Sequence, residues 1–74
     1  MASKREVVHR DSGILGGRPV FVGTRVPIRS LFDYLEASET LDEFLNQFPS
    51  VKRAQAVAVL ALARDTVIAR ARRD

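Results

Sequence analysis

The arrangement of this 74-residue chain is decided by residues 16–28, which read GGRPVFVGTRVPI. Val20 and Val22 stand on either side of Phe21, and glycines bracket the three, a pattern typical of a short strand that ends in a tight turn. Pro27 suits the first position of a helix, because its fixed φ and missing N–H cost nothing there. The spacing of the glycines matches neither a phosphate-binding loop nor a dinucleotide fingerprint, so we do not expect a phosphate ligand here.

On the N-terminal side, the apolar pair Val7 and Val8 predicts a short edge strand. The run from Asp11 to Gly13 has the composition of a turn. Ile14 and Leu15 then join residues 20–22 in supplying the apolar side chains of a small hairpin. A two-stranded ribbon is marginal alone in water, so it must lie on the following helices or pair with a second subunit.

A first helix is predicted from Pro27 to the break in the pattern at residues 37–39, because apolar side chains recur at the spacing of one helix face. Its apolar residues are Ile28, Leu31, Phe32 and Leu35.

A second helix is predicted from Leu41, because Thr40 and Glu43 have the spacing of a capping box. Pro49 ends it, since a residue before proline avoids the helical conformation. Its apolar positions repeat the spacing of the first helix at Leu41, Phe44, Leu45 and Phe48.

A third helix follows, with Ser50 predicted as its N-cap. Residues 54–63 are apolar on nearly every side, so part of this surface must be buried against something other than the first two helices. We expect a homodimer with Leu60 or Leu62 at its seam. Residues 64–74 are too short to form a stable helix alone and are expected to be mobile without a partner.

These elements predict a mostly α fold: a three-helix helix-turn-helix domain, homeodomain-like, with a small N-terminal β-hairpin. Residues 1–63 are expected to form this domain, and residues 64–74 a basic C-terminal helical tail.

Charge is segregated along the chain. Residues 1–29 carry a net charge of +4, residues 30–48 carry −5, and residues 49–74 carry +4, against +3 for the whole. Basic surfaces of this kind attract polyanions through counterion release.

The composition argues against several functions. The chain has no cysteine and one histidine, so we expect no metal and no cofactor. The carboxylates between Asp33 and Glu43 have no neighbouring His or Cys and are interpreted as a solvated face, so no enzymatic activity is expected. No apolar run approaches the roughly 18 residues that span a bilayer, and no hydrophobic signal core follows the first residues. A cytoplasmic location is expected.

The start of the third helix is the candidate DNA-binding site. In a helix-turn-helix, the second helix of the motif enters the major groove with its N-terminal residues on base edges. Arginine can bond guanine and glutamine can bond adenine. The predicted DNA-binding residues are Ser50, Lys52, Arg53 and Gln55.

The segment from Gly17 to Ile28, the helix start at residues 40–44 and the Phe48-Pro49-Ser50 run resemble the bacterial and archaeal family called domain of unknown function 433, over about residues 7–63. The resemblance implies a small helix-turn-helix domain. Its members are often encoded beside PIN-like ribonuclease toxins and are taken to be antitoxins of the VapB kind. Ser38 is a departure, because the family often has glycine there.

The tail is the candidate partner-binding segment, because guanidinium groups bind carboxylates bidentately and a nuclease site is lined with metal-binding carboxylates. Together with this chemistry, the resemblance implies the function of an antitoxin of a type II toxin-antitoxin system, which binds operator DNA and neutralises a PIN-like toxin. The alternative is a protein-interaction adaptor that does not bind DNA. The predicted partner-binding residues are Arg64, Val67, Ile68, Arg70, Arg72 and Arg73.

Two residues of the opening stretch are assigned structural roles. Thr24 is expected to hold the turn through its hydroxyl group. Arg25 is expected to pair with Asp33 or Glu36. The alternative for Arg25 is a contact with a phosphate or with the acidic active site of a toxin.

Overall fold

The computed structural model describes residues 7–10, 12–13 and 15–72. Within them the chain forms a two-stranded sheet and three helices, and a short 3-10 turn at Leu15–Gly17 precedes the second strand. The predicted roles of Asp11 and Ile14 lie outside the described residues. The strands are β1 (Val8–His9) and β2 (Val20–Phe21), and the helices are α1 (Ile28–Glu36), α2 (Leu41–Gln47) and α3 (Arg53–Ala71).

The hairpin is antiparallel, with Val8 opposite Phe21 and His9 opposite Val20. The amide of Val22 extends the pairing by donating to the carbonyl of Val7 at 2.8 Å. Val20 and Phe21 are fully buried, so the hairpin lies on the helices, which is one of the two arrangements that the sequence allows.

The turn after β2 is held by Thr24. Its hydroxyl donates to the carbonyl of Phe21 at 2.8 Å and accepts from the amide of Val26 at 3.0 Å. Gly23 has a φ of 77°, a left-handed conformation that glycine adopts without steric strain. The predicted role of Thr24 is therefore confirmed.

Helix α1 begins at Ile28, and Pro27 is the residue before it rather than its first residue. Pro27 has extended backbone angles and forms an isolated bridge with Val20, which ties the helix start to β2.

Helix α1 ends in a left-handed residue, Ser38, with a φ of 67°. The amide of Ser38 donates to the carbonyl of Leu35 at 3.0 Å, and the amide of Glu39 donates to the carbonyl of Tyr34 at 2.9 Å. These bonds satisfy carbonyls that the helix end would leave unpaired. A serine therefore occupies a conformation that favours glycine.

Helix α2 confirms the predicted capping box. The amide of Glu43 donates to the Thr40 hydroxyl at 3.1 Å, and the amide of Thr40 donates to the Glu43 carboxylate at 2.8 Å. The helix ends at Gln47, two residues before Pro49, as predicted.

Helix α3 begins later than predicted, and the assignment of Ser50 as its cap is wrong. Ser50 lies in a turn that Val51 anchors, because the Val51 side chain is 4% exposed and its amide donates to the carbonyl of Phe48 at 3.0 Å. The cap position belongs to Lys52, whose amide donates to the Gln55 side-chain oxygen at 2.9 Å.

The core lies where β2 and the three helices meet. Phe44 is its centre, with ring centroids 6.0 Å from Phe21, 5.7 Å from Tyr34 and 5.0 Å from Phe48. Leu60 packs against this core, and both Leu60 and Leu62 are half-buried, while the seam predicted at one of them stays a prediction. The buried core residues are Phe21, Leu31, Phe44, Val51, Ala56 and Val59.

The predicted fold class is confirmed: the protein is mostly α, with three helices and a small N-terminal antiparallel hairpin.

Candidate nucleic-acid and partner interfaces

The turn between α2 and α3 brings the predicted DNA-binding residues to one end of α3. Ser50, Lys52 and Arg53 are exposed there. Gln55 is half-buried on the same turn of the helix. The sequence thus places four polar residues together at the surface, but their roles differ.

Gln55 has an internal structural role. Its oxygen accepts from the amide of Lys52, and its side-chain nitrogen donates to the carbonyl of Val22 at 2.9 Å. It thereby caps α3 and joins the helix to the turn after β2. A contact with a base would require both hydrogen bonds to break. The spacing of Gln55 three residues after the cap position is the sequence signal for this role.

Arg53 forms an ion pair with Asp42 in the first turn of α2. The two side chains are 60% and 76% exposed, so solvent screens the pair and it stabilises the fold little. The pair nevertheless places an anion next to a residue predicted to contact DNA.

An acidic cleft separates α1 from α2. Asp33, Glu39 and Glu43 line it together with Tyr34. Hydrogen bonding with the Glu43 side chain raises the pKa of Glu39, and the negative charge of Glu43 adds to this shift. The amide of Thr40 lowers the pKa of Glu43, as do hydrogen bonds with Glu39 and the Thr40 hydroxyl. Among the described residues, no group of three His, Cys, Asp or Glu side chains could hold a metal ion.

A second cleft at the start of α1 brings together Arg18 and Arg29, which lie 11 positions apart in the sequence. The sequence did not predict that these two arginines line one cleft, because their proximity depends on the position of Pro19 beside the start of α1. The amide of Ile28 donates to the carbonyl of Pro19 at 3.0 Å.

The predicted pairing of Arg25 with α1 is wrong. Arg25 is exposed near the turn after β2, and within the described residues it forms no ion pair with Asp33 or Glu36. Asp33 instead contacts Arg29, one turn earlier on the same helix, with 3.5 Å between the Arg29 Nε and an Asp33 oxygen.

The basic tail continues α3 without a break as far as Ala71. All nine residues from Arg64 to Arg72 are exposed, although this part is helical. Val67 is 65% exposed and Ile68 is 47% exposed. Arg73 lies outside the described residues. The predicted mobility of this segment stays a prediction.

The fold and these charged surfaces define a small, mostly helical domain with an N-terminal hairpin. The chain belongs to the family described as "Protein of unknown function (DUF433)", whose sequence model matches residues 8–63. It is similar to the "Uncharacterized protein y4eO" of Sinorhizobium fredii (strain NBRC 101917 / NGR234), with 37% identity over 51 residues, which cover 69% of this chain. The match spans 23% of that relative's length.

No solved structure matches the chain. Within residues 7–10, 12–13 and 15–72, none of the helices has both the length and the apolar character needed to cross a membrane.

Proposed function

We propose that this protein is the antitoxin of a cytoplasmic type II toxin-antitoxin system. It acts by binding and performs no catalysis. The start of α3 binds operator DNA, and the segment from residue 64 onward binds and blocks a PIN-like ribonuclease. The observation that carries the proposal is the exposed end of α3, where Arg64, Arg70 and Arg72 flank Val67 and Ile68, two large apolar side chains that the described part of the chain leaves about half exposed or more.

The chemistry of this segment fits a nuclease site. Nucleases of this kind bind metal through clustered carboxylates, and a guanidinium group can bind a carboxylate with two parallel hydrogen bonds. Val67 and Ile68 add apolar area that a partner can bury. Because the segment extends the helix of the folded domain, it meets a partner with part of its conformational entropy already lost.

The DNA-binding half of the proposal depends on Lys52 and Arg53. Both are exposed at the beginning of α3, after a short turn from α2, where a helix-turn-helix presents its base-contacting residues. The exposed pair between Arg53 and Asp42 is weak, so a phosphate or a guanine can replace Asp42 as the partner of the guanidinium group. We assign no base contact to Gln55.

A second candidate function is a protein-interaction adaptor that does not bind DNA. It is favoured by the acidic residues beside the start of α3, because Asp42 pairs with Arg53 and Glu43 lies in the same turn of α2. Carboxylates at this place repel the phosphates of DNA. The binding of a labelled upstream DNA fragment separates the two candidates, because only the antitoxin predicts specific and salt-dependent binding.

The test of the toxin-binding half is co-expression with the product of the adjacent gene. The full chain is expected to suppress the toxicity of a PIN-like neighbour, and deletion of residues 66–74 is expected to abolish that suppression. The deletion leaves the buried core intact, since its last residue is Val59. Arg29→Gln, at an exposed position of α1, serves as the control for altered charge outside the tail. Full suppression by the shortened chain, or toxicity that the full chain never relieves, would contradict the proposal.

A further inference from the structure

The side of α3 that faces away from the core carries an apolar stripe that the described part of the chain leaves partly exposed. The helix buries Ala56 and Val59 against the core. On the other side, Val57 is 50% exposed and Ile68 is 47% exposed, with Ala61 between them. These three residues are four and seven positions apart, so they lie along one side of the helix.

The residues along this side have a symmetrical spacing. Ala61 lies four positions after Val57, as Arg72 lies four positions after Ile68, and Arg64 and Asp65 lie together at the centre. An antiparallel second copy, related by a two-fold axis that passes between residues 64 and 65, would place the cation of one copy beside the anion of the other.

We propose that the protein forms a homodimer through this side of α3. The two-fold axis passes between Arg64 and Asp65, so that Arg64 faces the partner's Asp65. Ala61 faces the partner's Ile68, and the aliphatic stem of the partner's Arg72 covers Val57.

Charge complementarity selects a second copy as the occupant. Within one chain Arg64 contacts Asp65 at 3.0 Å, and both side chains remain more than half exposed. In the antiparallel pair, the two Arg64 guanidinium groups and the two Asp65 carboxylates alternate around the axis. Each cation therefore has an anion of the other copy beside it. The small side chain of Ala61 leaves room for the larger isoleucine opposite it.

In the dimer, the exposed end of α3 of one copy covers the apolar stripe of the other copy. Residues 68 and 72 of each copy lie against residues 57 and 61 of the other, which places large side chains on the exposed apolar stripe. The dimer surface shares Arg64, Ile68 and Arg72 with the segment proposed to bind the toxin and leaves Val67 and Arg70 outside the seam. Dimerisation itself is measured without DNA or toxin, so its failure is distinguishable from a failure of the proposed function.

A charge exchange tests the arrangement. We expect sedimentation velocity to show a wild-type dimer at micromolar concentration. Arg64→Asp and Asp65→Arg each place like charges together and are expected to raise the dimer Kd by about tenfold or more. The double exchange R64D/D65R is expected to restore the dimer. Arg70→Asp makes the same charge change on another side of the helix and is expected to leave the Kd within about threefold.

Three results would overturn the inference: a wild-type monomer, a double exchange that stays monomeric, or an Arg70→Asp variant as damaging as Arg64→Asp. Circular dichroism of each variant establishes that α3 is still helical.

Because the chain has no cysteine, cross-linking gives a second measurement. Ala61→Cys/Ile68→Cys is expected to oxidise to a covalent dimer. Within one helix the two positions are about 10 Å apart along the axis, too far for an internal disulfide. The control Ala61→Cys/Arg70→Cys moves one cysteine off the stripe. Equal cross-linking of the two variants would contradict the antiparallel arrangement.

Discussion

At the scale of single residues, Gln55 shows how a side chain predicted to contact DNA can instead join two parts of the fold. Its two hydrogen bonds link the start of α3 to the carbonyl of Val22, which lies 33 positions earlier in the chain. The spacing of three residues from the cap position identifies a capping glutamine only once the cap is placed at Lys52 rather than Ser50. The bond to Val22 depends in addition on the position of the hairpin.

Gln55→Ala is therefore expected to destabilise the protein by about 1–3 kcal/mol, because two hydrogen bonds are lost and the Val22 carbonyl loses its donor. Urea unfolding measures this change. The control is Gln47→Ala at the exposed end of α2, where a change within about 0.5 kcal/mol is expected. Equal effects of the two substitutions would show that Gln55 does not hold the hairpin.

Ser38, unlike Gln55, lowers the stability of the fold, because its left-handed backbone conformation is strained for a serine. Ser38→Gly is expected to stabilise the protein by about 0.5–1 kcal/mol, because glycine adopts this conformation without a clash. The matched control is Ser30→Gly inside α1, which is expected to destabilise by a few tenths of a kcal/mol. Thermal unfolding of both variants checks the prediction, and a lower Tm for Ser38→Gly would contradict it.

The carboxylates of Glu39 and Glu43 are expected to titrate in opposite directions from the ordinary value of 4.5. Because the pKa of Glu43 is lowered by folding, its contribution to stability is complete above 4.5 and is lost as the pH falls through its folded pKa. Because the pKa of Glu39 is raised, its contribution is complete below 4.5 and is lost as the pH rises through its folded pKa. A carboxyl NMR titration with both pKa values on the same side of 4.5 would contradict this account.

Glu39→Gln keeps a donor for Glu43 and removes the repulsion between the two carboxylates. We expect it to raise the urea midpoint at pH 7 more than Glu36→Gln does, because Glu36 is not among the residues that line the cleft.

At the scale of elements, the helices were predictable and their junctions less so. Apolar spacing and the capping box of Thr40 located α1 and α2 to within a residue, because both signals act within one or two turns. The cap of α3 was predicted at Ser50 instead of Lys52, because Val51 is buried in a core that includes residues distant in sequence. The cleft of Arg18 and Arg29 was missed for the same reason, since the path of Pro19 beside α1 is tertiary.

The prediction about DNA binding concerns Lys52 and Arg53 at the start of α3. Arg53→Ala is expected to weaken specific binding by about 1–3 kcal/mol, whereas Lys52→Ala weakens binding evenly across sequences and lowers the salt dependence. Titration of an upstream fragment at two salt concentrations measures both effects. Asp42→Asn removes the competing anion and is expected to strengthen binding. Equal binding by wild type and the double alanine variant would contradict the assignment of the start of α3 as the DNA-binding site.

At the scale of the whole molecule, the segregation of charge seen in the sequence is only partly kept on the surface. Asp33, Glu39 and Glu43 line the α1–α2 cleft, whereas Asp42 pairs with Arg53 at the start of α3, and the exposed end of α3 is mostly basic. On the end of α3, Val67 and Arg70 lie away from the proposed dimer stripe, so these two side chains are available to a partner when the dimer forms.

The most direct test of the proposed function is therefore the inhibition of the purified neighbouring ribonuclease by the full chain and by Val67→Asp/Arg70→Glu. The account predicts stoichiometric inhibition by the wild type and inhibition weakened by about a hundredfold in the variant, with the dimer intact by sedimentation. Equal inhibition by the two proteins, or a nuclease that the wild type does not inhibit, would contradict it.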